Sequence, residues 1–73
     1  DKDKAMEYYR EFQKTEYWDT AESVNARVYM AEILMDQWGS EPKEEARQLL
    51  NEAIEITEDP YWKKQAEALL AEL

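Results

Sequence analysis

Apolar residues recur three and four positions apart along four segments of the chain, which is the spacing of one face of an α-helix. The predicted helices cover residues 3–16, 20–38, 41–57 and 60–72. Connections of only a few residues between them imply antiparallel neighbours. The sequence therefore predicts one all-α domain over residues 1–73, an antiparallel four-helix up-down array built as a bundle or as stacked hairpins.

Residues with capping propensity stand at the predicted helix ends. Asp1 or Asp3 can cap helix 1, and Asp19 with Glu22 has the spacing of a capping box for helix 2. Gly39 stands where a left-handed residue ends a helix. In the second half, Ser40 is the candidate cap of helix 3, and Pro42 is tolerated in the first turn. Asp59 and Pro60 are the corresponding cap and first residue of helix 4.

Helix 2 departs from the pattern of one apolar stripe because apolar residues lie on two sides. At about 100° per residue, one side gathers Val24, Val28, Ala31, Met35 and Trp38. The opposite side gathers Ala26, Tyr29, Met30 and Ile33, with the polar residues Glu22 and Gln37. A helix of this kind is either central in the fold or covered by a partner.

Both interpretations stay open from the pattern alone. A central helix that touches three others would bury both sides, whereas an exposed patch of Tyr, Met and Ile is typical of a protein-contact site. The second interpretation predicts the anchors Ala26, Tyr29, Met30 and Ile33, the rim residues Glu22 and Gln37, and the flanking residues Met6, Gln13, Tyr17 and Trp18. Arg10 and Arg27 belong to a residue type that is frequent at binding hot spots.

Charge narrows the classes of partner. Nine Lys and Arg against eighteen Asp and Glu give a net charge of −9. This balance argues against nucleic acid and anionic membranes as partners. It is compatible with plain solubility or with a basic partner surface.

The chain offers no evident catalytic or cofactor site. It has no Cys and no His, which excludes disulfides and the common zinc sites. No Gly-rich phosphate loop or nucleophile elbow occurs. We therefore expect no enzyme activity, no cofactor and no metal, and we take the acidic clusters as solvated helix ends.

Targeting signals are also missing from the pattern. No run of about 18 apolar residues that could span a membrane is present, and no basic segment followed by an apolar one starts the chain as in a signal peptide. We expect a soluble protein whose compartment the sequence does not give. The first residue, Asp1, leads us to expect a processed or excised product.

Part of the pattern resembles a tetratricopeptide repeat. The segment KAMEYYREF is similar to the second helix of such a repeat, with Ala5, Tyr9 and Phe12 at the packing positions. Further matches to its small and bulky sites are Ala31, Leu34, Gly39, Ala46, Leu50 and Ala53, with Pro60 near the closing proline. The repeat's early Trp has no counterpart, since Arg27 stands at about that position. The resemblance implies stacked antiparallel hairpins and peptide binding.

The second half, SEPKEEARQLLNEAIEITEDPYWKKQAEALLAEL, also resembles computationally designed helical miniproteins. Caps, prolines, the apolar stripe and exposed Glu and Lys all agree with one another there. The resemblance implies a designed binder that presents a face of helices 1 and 2 to a target protein. The alternatives are a designed repeat-like scaffold, including one that forms a homodimer, and a fragment of a natural peptide-binding adaptor.

Overall fold

The computed structural model describes residues 1–73 and contains four α-helices and no strands. The helices are α1 (Lys2–Phe12), α2 (Val24–Met35), α3 (Ser40–Ile56) and α4 (Pro60–Leu70). Two short 3₁₀ helices, Glu16–Asp19 and Ala21–Ser23, connect α1 to α2. The predicted all-α class with four helices is confirmed.

The first two helices are shorter than the sequence pattern predicts, because side chains between them bond to the backbone. The Thr15 hydroxyl donates to the Phe12 carbonyl at 2.8 Å, where α1 ends. The Thr20 hydroxyl accepts from the Glu22 amide at 3.3 Å and caps the 3₁₀ helix Ala21–Ser23. Helix α2 begins only after Ser23, so the predicted cap Asp19 does not cap it. Such local bonds compete with helical ones. In contrast, Asp1 and Asp59 cap α1 and α4 as predicted.

The turn between α2 and α3 also differs from its prediction. Gly39, at φ 110° and ψ 165°, is the N-cap of α3 and lies outside the left-handed helical region. Ser40 is consequently the first helical residue and not the cap. Trp38, predicted on the core side of helix 2, lies beyond its end and is 97% exposed.

Helix α2 is the centre of the fold and packs against α1, α3 and α4. Its contact with α3 is close because Ala31, Ala46 and Ala53 are completely buried there, and small side chains let two helices approach. Around them lies one apolar core of ten residues, namely Val24, Val28, Met30, Ala31, Leu34, Ala46, Leu49, Leu50, Ala53 and Ala66.

This central position corrects part of the prediction for the second side of helix 2. Ala26 and Met30 are 5% and 0% exposed, so neither is a surface anchor. Their burial follows from the contacts of α1 and α4 with α2, which close over that side. Tyr29 is 43% exposed and Ile33 is partly buried. Only the margin of the second apolar side therefore reaches the surface.

The side chain of Arg27, only 3% exposed, joins three parts of the chain. Its Nε donates to Glu52 of α3 at 3.0 Å, and its Nη1 donates to the Trp18 carbonyl at 2.7 Å and to the Ser23 hydroxyl. The guanidinium also lies 4.0 Å from the centre of the Trp18 ring. A buried charge needs partners of this kind, because desolvation would otherwise make it costly.

Helix α1 is attached differently, since none of its side chains is fully buried. Met6 and Tyr9 pack against the core from outside, and the Phe12 ring meets the Trp18 ring edge to face at 6.2 Å. Arg10 forms a two-pronged ion pair with Glu45 of α3. Half-buried apolar side chains and one partly exposed ion pair therefore hold this helix.

We predict that Arg27→Met destabilises the fold by about 2–4 kcal/mol, because Glu52, Ser23 and the Trp18 carbonyl would each lose a partner. Urea unfolding measures the change. Arg47→Met is the matched control, since Arg47 pairs with Glu44 on the outside of α3, the helix that also carries Glu52, and such exposed pairs contribute about 0–1 kcal/mol. Equal losses in the two variants would contradict a special role of the buried pair.

We predict that the Arg10–Glu45 ion pair makes the stability of the fold depend on pH in the acidic range. The hydrogen bond from Arg10 holds the pKa of Glu45 below its ordinary value of 4.5. Because the unfolded chain then binds the proton first, this contribution is present above pH 4.5 and is lost as the pH falls through the lower folded pKa. Glu45→Gln should lower stability at pH 7 by under about 1 kcal/mol.

Unfolding curves between pH 3 and pH 7 test this expectation. Glu45→Gln should reduce the loss of stability on acidification, and Arg10→Gln should reduce it equally. In the double variant the two effects should not add, as expected for two side chains that act as one pair. Additive effects would mean that Arg10 and Glu45 influence acid stability independently of each other and not as a pair.

Candidate protein-binding face

Aromatic side chains from three helices form one exposed face, which we call the tyrosine face. Tyr8 and Tyr9 of α1 meet edge to face with ring centres 5.5 Å apart. Tyr29 of α2 meets Trp62 of α4 at 5.8 Å, and Trp62 meets Tyr61 at 5.1 Å, both edge to face. Edge-to-face pairs stabilise by about 0.5–1.5 kcal/mol beyond area burial, so these rings support one another.

Local sequence places each of these rings on this face. Tyr9 follows Ala5 by four residues, which puts both on the side of α1 that faces α2. In α4, Asp59 accepts a hydrogen bond from the Tyr61 amide at 2.9 Å, and Pro60 is the first helical residue. This cap starts the helix immediately before its two aromatic residues, so that Trp62 reaches Tyr29 from the first turn.

Two open clefts lie between α1 and α2, one on each side of Tyr29. The first, which we call the Glu32 cleft, has a volume of about 300 Å³ and is lined by Lys2, Ala5, Tyr9, Tyr29, Glu32, Ile33 and Asp36. The second, the Glu22 cleft, has a volume of about 340 Å³ and is lined by Tyr8, Tyr9, Phe12, Glu22, Asn25, Ala26 and Tyr29. Both combine aromatic or aliphatic walls with a carboxylate.

The charges of the Glu32 cleft are only partly neutralised within the chain. Lys2 donates to Asp36 at 2.7 Å, and this hydrogen bond together with the lysine charge lowers the pKa of Asp36 below its ordinary value. Glu32 is exposed and is not among the five ion pairs of the chain. The cleft therefore presents a free carboxylate beside two phenol rings.

The pKa of the Tyr9 phenol reflects these surroundings. Its pKa is raised above the ordinary value of 10.0, mainly because burial disfavours the phenolate, and further because Tyr29, Tyr8 and Glu32 lie nearby. The side chains of Tyr9 and Tyr29 and the Glu32 carboxylate thus lie near one another in the Glu32 cleft. They can orient a bound group through hydrogen bonds and attract a cation, but their pattern contains no nucleophile with an adjacent base.

Four of the residues predicted for binding line these clefts. Tyr29 separates them, Ile33 lines one, and Glu22 lines the other. Ala26 also lines the Glu22 cleft, where its burial makes it part of the floor. Met30, the remaining predicted anchor, is part of the core and touches neither cleft.

The other predicted residues lie away from the clefts. Trp18 is half-buried against the core and beneath Arg27, and Tyr17 of the same 3₁₀ helix is exposed. Gln37 is exposed after α2, where its carbonyl accepts from Lys43 at 3.3 Å. Met6 packs on the core, and Gln13 accepts from Arg10 at 3.2 Å. Arg10 and Arg27 are occupied by internal partners and are not surface anchors.

Sequence reasoning did not single out Tyr8, Tyr9, Tyr61 or Trp62 as residues of a binding surface. A signal was nevertheless present. Adjacent aromatic residues, YY at Tyr8–Tyr9 and YW at Tyr61–Trp62, point about 100° apart on a helix. One member of each pair therefore turns outward when the other packs inward.

Comparisons with known proteins identified no relative. No protein-family model, no curated protein and no solved structure matches the chain. In the structure, no group of three or more Asp and Glu side chains is arranged to hold a metal ion. None of the helices combines the length and apolarity needed to cross a lipid bilayer.

We predict that the Tyr9 phenol titrates above its ordinary range. The titration of this phenol is obtained by subtracting the alkaline absorbance change of Tyr9→Phe from that of the wild type. Glu32→Gln should lower the pKa of Tyr9 because it removes a nearby negative charge. Since the unfolded chain ionises first, the associated stability is present below pH 10.0 and is lost as the pH rises through the higher folded pKa. A Tyr9 pKa unchanged by Glu32→Gln would contradict the proximity of the two groups.

Proposed function

We propose that this protein is a non-catalytic protein-binding module whose binding surface is the tyrosine face. The observation that carries the proposal is the exposure of aromatic rings on three adjacent helices, with Tyr8 and Tyr61 at 64% and 59%. Contiguous exposed apolar surface of this kind is typical of interaction sites. Tyr and Trp are enriched in protein interfaces because they combine large contact area with a polar group.

The size of the clefts supports a protein partner over a small molecule. Each holds roughly 300–340 Å³, at the lower end of the range for ligand pockets, and both are open to solvent. Each can accept one or two side chains of a partner. A standard interface covers about 800 Å² on each partner, which is a modest part of the 5031 Å² surface of this protein.

The contacts among the aromatic rings support a preorganised mode of binding. The tyrosine face is mounted on helices, and its rings contact one another, so little side-chain freedom remains to be lost in a complex. Residues on the rim, such as Glu22, supply polar contacts and specificity.

We further propose that the module belongs to the class of designed miniprotein binders. The support is the regularity of α3 and α4, where the Asp59 cap, Pro60 at the first helical position and the buried stripe through Ala46, Leu50 and Ala53 agree with idealised helix design. Self-association through the tyrosine face is disfavoured by the net charge of −9 on each copy.

We predict that protein fragments selected for binding to the wild type require the tyrosine face. A display library of natural protein fragments would be selected against the immobilised wild type, and the dissociation constants of recovered fragments measured for variants. The double variant Tyr8→Ser and Tyr29→Ser should weaken binding at least about tenfold, because truncating a central aromatic anchor commonly costs 1–2 kcal/mol or more. Circular dichroism confirms that each variant is folded.

Trp38→Ser is the matched control, since it removes an exposed aromatic ring from the α2–α3 turn, outside both clefts. It should change the dissociation constants by less than about twofold. Fragments that depend on Trp38 and not on Tyr8 and Tyr29 would contradict the tyrosine face as the binding surface.

Sedimentation at two protein concentrations reports whether the wild type is a monomer.

A further inference from the structure

The Glu32 cleft has the chemical features of a receptor for one cationic side chain. Tyr9 and Tyr29 supply aromatic faces, Glu32 supplies a carboxylate without an ion-pair partner, and Asp36 supplies a second carboxylate. Cations bind favourably over aromatic rings, and a carboxylate beside the ring adds a charge-assisted hydrogen bond.

The chain itself already places a cation at this cleft. The Lys2 ammonium lies 2.7 Å from Asp36 while both side chains remain about two-thirds exposed. Such an exposed pair contributes little net free energy, so it can be exchanged for a partner's cation without a large penalty. Lys2 therefore acts as an internal competitor at one end of the cleft.

The interior of the same molecule contains a closely related arrangement. Arg27 lies 4.0 Å from the centre of the Trp18 ring and donates to the Glu52 carboxylate at 3.0 Å. Its planar guanidinium satisfies the ring and the carboxylate together, which an ammonium does less well. The Glu32 cleft offers a ring and a carboxylate with no guanidinium from its own chain.

We propose that the partner of the tyrosine face inserts an arginine side chain into the Glu32 cleft, where the guanidinium contacts the rings of Tyr9 and Tyr29 and donates to Glu32. This inference rests on the proposed binding function and specifies the chemistry of the partner. Charge complementarity favours a basic segment of another protein over a second copy, because a second copy would also carry a net charge of −9.

The test uses two helical peptides of about 15 residues, one with three arginines among alanine and leucine, the other with neutral citrulline at the same positions. Binding is measured by ¹H–¹⁵N NMR titration near 0.15 M salt, where long-range attraction is screened beyond about 8 Å. The arginine peptide should bind at least about fivefold more tightly than the citrulline peptide. The largest shifts should fall on Tyr9, Tyr29 and Glu32.

Two variants with matched controls distinguish binding in the Glu32 cleft from general attraction to the negative charge of the protein. Glu32→Gln should weaken binding of the arginine peptide at least about fivefold, whereas Glu41→Gln, which removes an equal charge from an exposed position on α3, should change it less than twofold. Lys2→Gln should tighten binding because it frees Asp36, whereas Lys64→Gln, an exposed change on α4, should have a smaller effect.

Four outcomes would overturn the inference, namely equal binding of the two peptides, no binding of either peptide, equal losses in Glu32→Gln and Glu41→Gln, or shifts outside the Glu32 cleft. The proposed function is judged separately by the selected protein fragments. If those fragments require Tyr8 and Tyr29 but not Glu32, the binding module stands and the arginine specificity fails.

Discussion

The buried guanidinium of Arg27 is the interaction on which the arrangement of the helices depends. It ties the connection before α2, through Trp18 and Ser23, to Glu52 of α3, and it thereby sets the rotation of α2 about its own axis. Tyr29 follows Arg27 by two residues, which is about 200° around the helix. A guanidinium directed into the fold therefore places Tyr29 on the opposite side, at the margin between α1 and α4.

The same geometry explains why a small protein has both a filled core and an aromatic surface. Ala31, Ala46 and Ala53 let α2 and α3 lie close together, and the ten side chains of the core include no aromatic ring. The tyrosines lie around the core, and Tyr8, Tyr17, Tyr29 and Tyr61 are exposed. The rings of Tyr8, Tyr9, Tyr29 and Tyr61 come together on a face that a partner can contact, whereas Tyr17 lies apart from it in the 3₁₀ helix.

Much of the fold could be predicted from the sequence because helix periodicity, the Asp59–Pro60 cap and the stripe of α3 are local features. The shorter first two helices could not, since the competing bonds of Thr15 and Thr20 are weak signals in a sequence. The surface was predicted in part. Angles around helix 2 correctly separated Tyr29 from Val28, but they could not show that neighbouring helices bury Met30 and Ala26, because burial depends on tertiary packing.

Helix α1 is one wall of both clefts, and it is also the helix without a fully buried side chain. Elements with few buried contacts open locally at lower free energy than the rest of a protein. A ligand that contacts both α1 and α2 binds only the molecules in which α1 is docked. Its apparent affinity is therefore lower in proportion to the fraction of such molecules. Substitutions that only strengthen the docking of α1 on α2 and α3 are thus a route to tighter binding without a single new contact to the partner.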